Sequence, residues 1–432
     1  MSIAKFIIYF LNNIYNNKRL LLVCIFFLSL LASLIFLIFL GHVGPSEHNV
    51  PGTDYLTFYE PVANNILQGK GITIEGEIGL RYPPGYPVIL AVIFWLANLL
   101  GIGELGLIVI FNSIITAGTT CLLFLIAESI FNRKIALISS FLWLSYPFNL
   151  WFLKNPNSEV PFIFLLYMGI WFFLLALNKK SFWFILFSGL LLSFASLVRP
   201  IGLLFPFLLA FSVFFLLKES SKKLCFLLAF TMLFGSLMAI MPWETHVFSS
   251  TSKIIPISTN GSMAIVDGLS FSLNSEIGGD RISVPADVLA LMERAGSGEL
   301  TTVAKTFDFL IEELIKRPVT LSKVVGLKLT RSWYATSQMW WEGKILLIQL
   351  FYLLTGLLGL RYAIKNNKDK LREIMLFLVI ILFFWGMTCV ALSILRYMVP
   401  IMGIVIVFSA ITVAFVIDKI NCFLKIKSKT NV

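Results

Sequence analysis

The chain has 432 residues, of which 58% are hydrophobic and 13% are charged. Its mean hydropathy of +0.89 lies far outside the range of soluble domains, which excludes a soluble globular protein. The net charge of +11 is large for a chain with so few charged residues. Short basic loops on one side of a membrane account for that charge, so it does not imply binding to nucleic acid.

Repeated apolar stretches predict an all-α polytopic membrane protein with about ten transmembrane helices. Each stretch has about 17 to 25 residues, enough for a helix to cross a hydrocarbon core of roughly 30 Å. The first follows Lys18-Arg19, as in a signal peptide, but it is long and lacks a small-residue cleavage site, so we expect a retained anchor. The predicted spans are 20–41, 105–130, 135–153, 158–178, 182–197, 199–217, 223–242, 345–362, 374–394 and 397–417.

One further apolar stretch, Val88 to Leu100, would reverse the orientation of every later span if it crossed the membrane. It is short for a span, and leaving it out puts nearly all the short basic loops on one side, as the positive-inside rule expects. We therefore predict a juxtamembrane helix at this stretch. The same assignment predicts a multi-pass protein with both termini cytoplasmic and the active site extracytoplasmic. The low-charge composition, rich in Phe, Ile and Lys, favours the plasma (inner) membrane of a prokaryote, and an endoplasmic reticulum orientation would give the same charge pattern.

Two regions are predicted to lie outside the membrane, at 42–104 and at 243–344. The first belongs to an N-terminal catalytic module, 1–242, the second forms a small subdomain, and 345–432 contains the last spans and a basic tail. In the subdomain, helices are expected at 288–293 and 302–341, with Pro318 breaking or starting a helix. Apolar residues recur there at helical spacing, which predicts packing on the membrane domain. They are Phe307, Leu310, Ile311, Leu314 and Ile315.

The first outer region contains the residues that indicate chemistry. Asp54 precedes a short amphipathic helix from Glu60, which glycines at 69 and 71 should end. The run Tyr82-Pro83-Pro84-Gly85-Tyr86-Pro87 follows. A carboxylate fixed at the boundary between water and lipid can act on a lipid-borne substrate. The simpler interpretation is that Asp54 only caps the helix, and the two roles can coexist.

Further motifs follow in order along the chain. They are Asn155-Pro156-Asn157-Ser158-Glu159, Val198-Arg199-Pro200, Pro242-Trp243 with the segment Pro256 to Gly261, and Arg396-Tyr397-Met398-Val399-Pro400. No single piece is specific, but the whole order, starting from Asp54, resembles the GT-C superfamily of membrane glycosyltransferases. The branch it resembles contains the dolichyl-phosphate-mannose–protein mannosyltransferases and the bacterial aminoarabinose transferases.

This resemblance implies a GT-C-type helix bundle and sugar transfer from a polyprenyl-phosphate donor to a hydroxyl of a glycan, lipid or protein acceptor. Asp54 would be the base for the acceptor hydroxyl, and a single displacement would invert the anomeric carbon. The departing phosphate would need cations, and arginine binds phosphate oxygens in a bidentate way. Three arginines fall at predicted outer boundaries of the membrane: Arg396, Arg199 and Arg81.

Each candidate also has a simpler interpretation. The arginines could extend to lipid headgroups. Glu60 lies about 240° around a helix from Asp54, which favours a structural or substrate-positioning role. Glu159 could reach the same cavity or stabilise the N-terminus of its own helix. Tyr82 could contact substrate or mark the membrane interface, and Tyr397 is assigned to substrate positioning.

No metal is expected to be required. His42, Glu47 and His48 could in principle bind an ion, but their spacing matches no strong ligand motif. Several relatives place an acid directly after the catalytic aspartate, whereas Tyr55 follows it here. A divalent metal is therefore possible but not expected, because arginines can hold a monophosphate leaving group without one.

Three other functions stay open at the level of sequence. A transporter or flippase for lipid-linked sugars would share the hydropathy, but it would more often show intramembrane charges and paired helix breaks. A ligase or polymerase would use a pyrophosphate-linked glycan and rely on a large outer loop. A non-enzymatic scaffold or sensor would tolerate the loss of Asp54.

Overall fold

The structure, a computed structural model, describes residues 13–41, 52–270, 284–296, 303–336 and 341–430, together with Leu300 and Met339. Helices form most of this part of the chain, and its one sheet is a two-stranded antiparallel hairpin. The possible metal ligands His42, Glu47 and His48 lie outside the described residues.

The elements follow one another with short connections. The helices are α1 (Lys18–Phe39), a π-helix (Tyr55–Tyr59) continuing into α2 (Glu60–Leu67), α3 (Gly85–Leu100), α4 (Glu104–Ile130), α5 (Arg133–Leu144), α6 (Pro147–Trp151), α7 (Glu159–Lys179), α8 (Phe182–Val198), α9 (Phe205–Leu216), α10 (Lys222–Thr251), α11 (Asn260–Ser270), α12 (Ala286–Ala295), α13 (Val303–Lys316), α14 (Pro318–Arg331), α15 (Glu342–Asn366), α16 (Leu371–Val390) and α17 (Leu395–Thr430). The hairpin strands are β1 (Thr73–Ile74) and β2 (Glu77–Ile78), and short 3₁₀ turns cover Pro200–Gly202 and Lys368–Lys370.

The predicted multi-span helical fold is confirmed. Seven helices in the described ranges are long and apolar enough to cross a membrane, by length and composition. Two shorter apolar helices, Phe182–Val198 and Pro200–Leu216, coincide with two more of the expected spans. The stretch 88–100 belongs to a third short apolar helix, Gly85–Leu100.

Two expected boundaries were wrong. The predicted span 135–153 is two helices, because Tyr146 is extended before Pro147 and the chain restarts at α6. The span expected to end at 242 continues through Pro242 to Thr251. Its extension has a packing reason, since Trp243 and Val247 form a small core with Ile257.

Small residues bring the long helices into close contact. A Cβ atom on Gly189 of α8 would lie 2.1 Å from the Met232 carbonyl oxygen of α10, and one on Gly235 would lie 2.5 Å from the Leu186 carbonyl oxygen. Gly359 of α15 packs in the same way on Phe408 of α17. Backbones can approach this closely only where side chains are absent, as is common between helices in membranes.

The first outer region, as the structure describes it, comprises residues 52–103. Gly69 and Gly71 have positive φ angles after the end of α2, which confirms the expected stop at these glycines. The hairpin and α3 follow, and Gly85 lets α3 begin directly against the end of α8, where a Cβ would lie 2.6 Å from the Leu197 carbonyl oxygen.

The second outer region contains α11 to α14 and the segment that leads to α15. Helices α12, α13 and α14 cover much of what the sequence predicted to be helical, and α14 begins at Pro318. One expectation here was wrong: the apolar residues of α13 are not packed on the membrane domain. Four of them are exposed at their side chains by 52% to 76%. They are Phe307, Ile311, Leu314 and Ile315, whereas Leu310 is partly buried.

Candidate active site

Asp54 lies where the first outer helix winds more widely than an α-helix. The chain is helical from Thr53, and in the following π-helix the Glu60 N–H bonds to the Tyr55 carbonyl. Such π turns are rare in proteins, and those that occur are often found at functional sites. The Asp54 side chain makes no capping hydrogen bond. Its Oδ1 instead accepts a hydrogen bond from the Tyr82 hydroxyl at 2.7 Å, so capping alone does not explain this carboxylate.

Three tyrosines beside Asp54 form a tyrosine wall, which consists of Tyr59, Tyr82 and Tyr86. The Tyr59 ring centroid lies 5.1 Å from that of Tyr82 and 5.0 Å from that of Tyr86. Burial raises the pKa of the Tyr59 and Tyr82 hydroxyls, and the hydrogen bond to Asp54 adds to the shift at Tyr82. Both hydroxyls therefore stay protonated at neutral pH and act as donors.

A second group of polar side chains, which we call the charged cluster, joins the starts of α7 and α17 to the end of α8. Glu159 is fully buried, and its Oε1 binds Arg199 Nη1 at 2.7 Å and also Arg396 Nε. Arg199 donates a second hydrogen bond to Ser158 Oγ at 2.9 Å, and its guanidinium carbon lies 4.9 Å from the Tyr397 ring centroid. Two cations thus share one carboxylate within the cluster.

The charge of the cluster is exposed on one side. The Arg199 side chain is 10% exposed, whereas that of Arg396 is 43% exposed. Because Glu159 compensates only one of the two guanidinium groups, the excess positive charge is available at Arg396 to an anion from outside. Glu159 Oε2 is buried and has no hydrogen-bond partner among the described residues, so Glu159 itself is held only through the arginines.

Local sequence explains how these side chains meet. Asn157 Nδ2 bonds to the carbonyl oxygens of Phe152 and Asn155 at 2.5 and 2.7 Å, which folds the chain into the start of α7 and places Glu159 in its first turn. Arg199 is extended at the end of α8, as expected for a residue before proline.

Tyr59 lies between Asp54 and the charged cluster. It is 6% exposed. Its ring centroid lies 5.1 Å from that of Tyr82, and the charges of Arg199, Asp54 and Arg396 all act on its hydroxyl. The tyrosine wall therefore connects the two groups, and the structure brings six of the eight predicted site residues to one neighbourhood. They are Asp54, Tyr82, Glu159, Arg199, Arg396 and Tyr397.

Of the two remaining predicted residues, Arg81 lies at the edge of this neighbourhood and Glu60 faces a separate cavity. Arg81 is exposed, and its guanidinium carbon lies 5.3 Å from the Tyr82 ring centroid. Its charge also acts on Asp267 of α11. Glu60 lines a cavity of about 400 Å³ together with Tyr55, Leu56 and the segment Gly103 to Gly106. Asp54 and Glu60 therefore do not form a pair of carboxylates.

Sequence reasoning missed the residues that hold the segment before Tyr82 in place. Trp243 Nε1 donates to the Ile257 carbonyl at 2.8 Å, and Glu244 accepts from the Ile257 N–H at 2.8 Å. Two residues later, the Thr259 N–H bonds to the Leu80 carbonyl, next to the site. The Pro242-Trp243 motif was the available signal, but its partner lies 14 residues away and only the fold connects them. Tyr59 and Ser158 were missed for the same reason.

A metal ion would need several carboxylate, imidazole or thiolate ligands close together. Among the described residues, no three His, Cys, Asp or Glu side chains lie together in a group that could hold a metal ion. Tyr55, which follows Asp54, is 3% exposed and contributes no second carboxylate.

Comparisons with known proteins give the class of fold. Residues 82–246 match the family model of dolichyl-phosphate-mannose-protein mannosyltransferases. Two structures of the Archaeoglobus fulgidus oligosaccharyltransferase AglB match at 14% identity over 95% of this chain. The one with a tethered acceptor peptide has a TM-score of 0.61, over 51% of AglB. The one with an inhibitory peptide and dolichol-phosphate has a TM-score of 0.55, over 52% of AglB.

ArnT from Cupriavidus metallidurans, bound to undecaprenyl phosphate, matches with a TM-score of 0.51 and 11% identity, over 95% of this chain and 60% of ArnT. The chain thus spans about half of AglB and three fifths of ArnT. No curated protein sequence matches. The fold is that of the GT-C membrane glycosyltransferases, and the resemblance to the mannosyltransferase and aminoarabinose transferase branch is confirmed.

Proposed function

We propose that the protein is an inverting glycosyltransferase that moves a sugar from a polyprenyl-phosphate donor to an acceptor hydroxyl on the extracytoplasmic face of the membrane. The observation that carries this proposal is the arrangement of Asp54 and the charged cluster on either side of Tyr59. Sugar transfer needs a base for the acceptor and a cationic site for the phosphate. The polyprenyl phosphates bound to AglB and ArnT support the donor class.

Asp54 acts as the base. Oδ1 is oriented by Tyr82, and among the described residues no other hydrogen bond to this carboxylate is found, so Oδ2 can take the acceptor proton. The acceptor oxygen forms a bond to the anomeric carbon while the bond from that carbon to the phosphate oxygen breaks. The electron pair leaves with the phosphate, and one displacement inverts the configuration.

The charged cluster holds the phosphate that leaves. Arg396 offers the exposed cation, and Arg199 is kept in place by Glu159, Ser158 and the Tyr397 ring. A guanidinium fixed in this way can bind phosphate oxygens without reorganising. Arg81 lies on the Tyr82 side, where it can contact the donor as it enters. Two arginines suffice for a monophosphate, so the proposed transfer does not require a metal.

The two alternative functions, a flippase and a ligase, would require other arrangements of charged residues. A flippase needs a polar path across the membrane, whereas the charges described here meet at one end of the helix bundle, at the starts of α7 and α17. A ligase that uses a pyrophosphate-linked glycan releases a leaving group with one phosphoryl group more, whereas the charged cluster has two arginines and one of these charges is compensated by Glu159. Both readings remain outcomes of the following experiment.

The test compares wild type with Asp54→Asn in detergent. Each is incubated with a panel of polyprenyl-phosphate sugars and a mixture of glycan, lipid and peptide acceptors, and released polyprenyl phosphate is measured by mass spectrometry. Removing a general base typically costs about 10²–10⁴-fold, and we expect a loss in this range. Glu77→Gln, on the exposed hairpin of the same region, is the matched control and should keep wild-type activity.

Arg396→Lys distinguishes the role of the phosphate site from that of the base. Lysine keeps the charge but loses the bidentate contact, so we expect weaker donor binding with less effect on the pH dependence than in Asp54→Asn. Equal release by wild type and Asp54→Asn would contradict the role of Asp54. Release only from pyrophosphate-linked donors, or movement of donor across a bilayer without release, would favour the rival readings.

A further inference from the structure

Helix α13 presents an apolar face to its surroundings. With a rotation of roughly 100° per residue, four side chains fall within one third of the helix surface. Their exposed fractions are 52% for Phe307, 54% for Ile311, 55% for Leu314 and 76% for Ile315. We call these four residues the outward face of α13.

The inward face of the same helix combines buried polar side chains with one apolar side chain, Phe309, which packs on the small core of the subdomain. Thr306 and Glu313 are 0% and 3% exposed. Glu313 binds Arg294 of α12 and Arg317 at 2.8 to 3.0 Å. The subdomain thus holds α13 by ion pairs and by this one packing contact, and it leaves the four residues of the outward face outside. In water this orientation is unfavourable, because burying such side chains is the usual source of stability.

Helix α14, which follows directly, is fixed to the ends of two long apolar helices. Arg331, its last residue, forms a bidentate ion pair with Glu342, the first residue of α15. Trp385 of α16 donates to the Leu329 carbonyl at 3.0 Å. These contacts hold the C-terminal end of α14 beside the start of α15 and the last turns of α16, which are the ends of two candidate membrane spans.

Exposed apolar residues continue along α14 from that level to the outward face of α13. They are Leu329 at 36%, Val325 at 46% and Val319 at 68%. Ten residues of helix between Leu329 and Val319 span about 15 Å, so the C-terminal end of α13 lies within roughly that distance of the ends of the two long helices. The apolar surface is thus continuous with the spans, and Lys316 and Arg317 stand at its edge, as basic residues do on interfacial helices.

We propose that the outward face of α13 binds the bilayer surface next to the helix bundle, with its apolar side chains at the boundary between headgroups and acyl chains. The second outer region would then be an interfacial element held by lipid, beyond its attachment through α14. This inference does not depend on the proposed activity.

The experiment uses two adjacent positions with matched exposure. Ile311 is 54% exposed on the outward face. The Glu312 side chain is 57% exposed but lies roughly 100° away, on the exposed charged side of α13, where it pairs with Lys316. The photoreactive residue p-benzoylphenylalanine is placed at one position or the other in the full chain. Each variant is reconstituted in nanodiscs. The positive control carries p-benzoylphenylalanine in place of Leu347, a 72% exposed position of α15, and it must form lipid adducts in the same nanodiscs.

We expect lipid adducts at Ile311 to exceed those at Glu312 by about tenfold, measured by mass spectrometry after irradiation, as for a helix that buries one face in the interface. Equal lipid labelling at the two positions would overturn the proposal. A crosslinked dimer from Ile311 would also overturn it and would identify a second copy as the occupant. A loss of catalytic activity in either variant would not affect this comparison, since the readout is the adduct itself.

Discussion

The two outer regions are joined to the membrane helices by different forces. The first region shares the main hydrophobic core, in which Tyr86 and Phe94 of α3 are 1% and 0% exposed. The second has a small core of its own, built from Val288, Leu291, Met292 and Val324. Its links to the bundle include polar anchors: the Arg331–Glu342 pair and the hydrogen bonds of Lys328 to Gly268 and Ala391.

This difference matches the roles of the two regions. Asp54 and the tyrosine wall need fixed positions, and a continuous apolar core with close backbone contacts provides them. Among the described residues, the second region reaches the segment before Tyr82 through the N–H groups of Thr259 and Asn260, which bond to the Leu80 and Arg81 carbonyls, so the rest of it can be perturbed with less effect on the site. Local unfolding should therefore separate the two regions.

The strongest test of this separation removes the buried ion pair of the second region. Arg331→Met leaves the Glu342 carboxylate, 5% exposed, without its cation, which should cost about 3–5 kcal/mol. Hydrogen exchange followed by mass spectrometry should show faster exchange in 303–336, with unchanged protection in 52–100. Arg331→Met with Glu342→Met is the control and should restore much of the loss. Equal acceleration in both regions would mean that they unfold together.

A smaller effect is expected from a single methyl group in the first region. A Cβ on Gly85 would lie 2.6 Å from the Leu197 carbonyl oxygen, so Gly85→Ala should force α3 away from α8 at about 1–3 kcal/mol. Because α3 contains Tyr86, activity should fall together with thermal stability. Gly103→Ala is the matched control, since nothing lies within 4 Å of its Cβ and its φ is −62°. Similar losses in both variants would contradict the close contact.

A pH dependence confined to the second region should come from Lys328. Burial lowers the pKa of the Lys328 ammonium to about 8 from the ordinary value of 10.5. Because the folded-state pKa is depressed, the stability that this group contributes is complete above pH 10.5 and is lost as the pH falls through about 8. Exchange in α11 and α14 should therefore slow as the pH rises across this window, after correction for intrinsic rates. Lys328→Met should abolish the trend, and a trend that persists would exclude this lysine.

The smallest expected effect distinguishes two tyrosines of the wall. The Tyr86 hydroxyl is buried without a hydrogen-bond partner among the described residues, so Tyr86→Phe should be neutral or stabilising by up to about 1 kcal/mol. The Tyr59 hydroxyl is not among the buried groups that lack a partner, so Tyr59→Phe should cost about 0.5–1.5 kcal/mol. Thermal unfolding of the two variants and wild type in the same detergent measures both changes in stability. A larger loss for Tyr86→Phe would mean that its hydroxyl has a partner.

The sequence predicted the helical membrane fold, and six of the eight candidate site residues lie in one neighbourhood of that fold. Hydropathy is a local property, so spans such as Glu104–Ile130 and Glu159–Lys179 could be located closely. Asp54, Arg199, Arg396 and Glu159 could be singled out because each belongs to one of the motifs whose order along the chain resembles that of the GT-C superfamily.

What the sequence could not predict depended on contacts between distant segments. The Glu159 carboxylate joins residues 40 and 237 positions away, and no local pattern indicates that pairing. The reversed orientation of α13 was also missed, because helical spacing of apolar residues shows that one face is apolar but not what covers it. Pro147 broke a span that hydropathy alone treated as continuous.

The π-helix at Tyr55–Tyr59 makes the site sensitive to chain length. A wider turn accommodates one residue more than an α-helical turn would. Deleting the exposed Leu56 would let the helix close regularly and would rotate Asp54 by roughly 100° relative to α2, away from the Tyr82 hydroxyl. Evolution of this carboxylate's position would therefore proceed through insertions and deletions, and a one-residue gap at this turn in a relative would signal a displaced base.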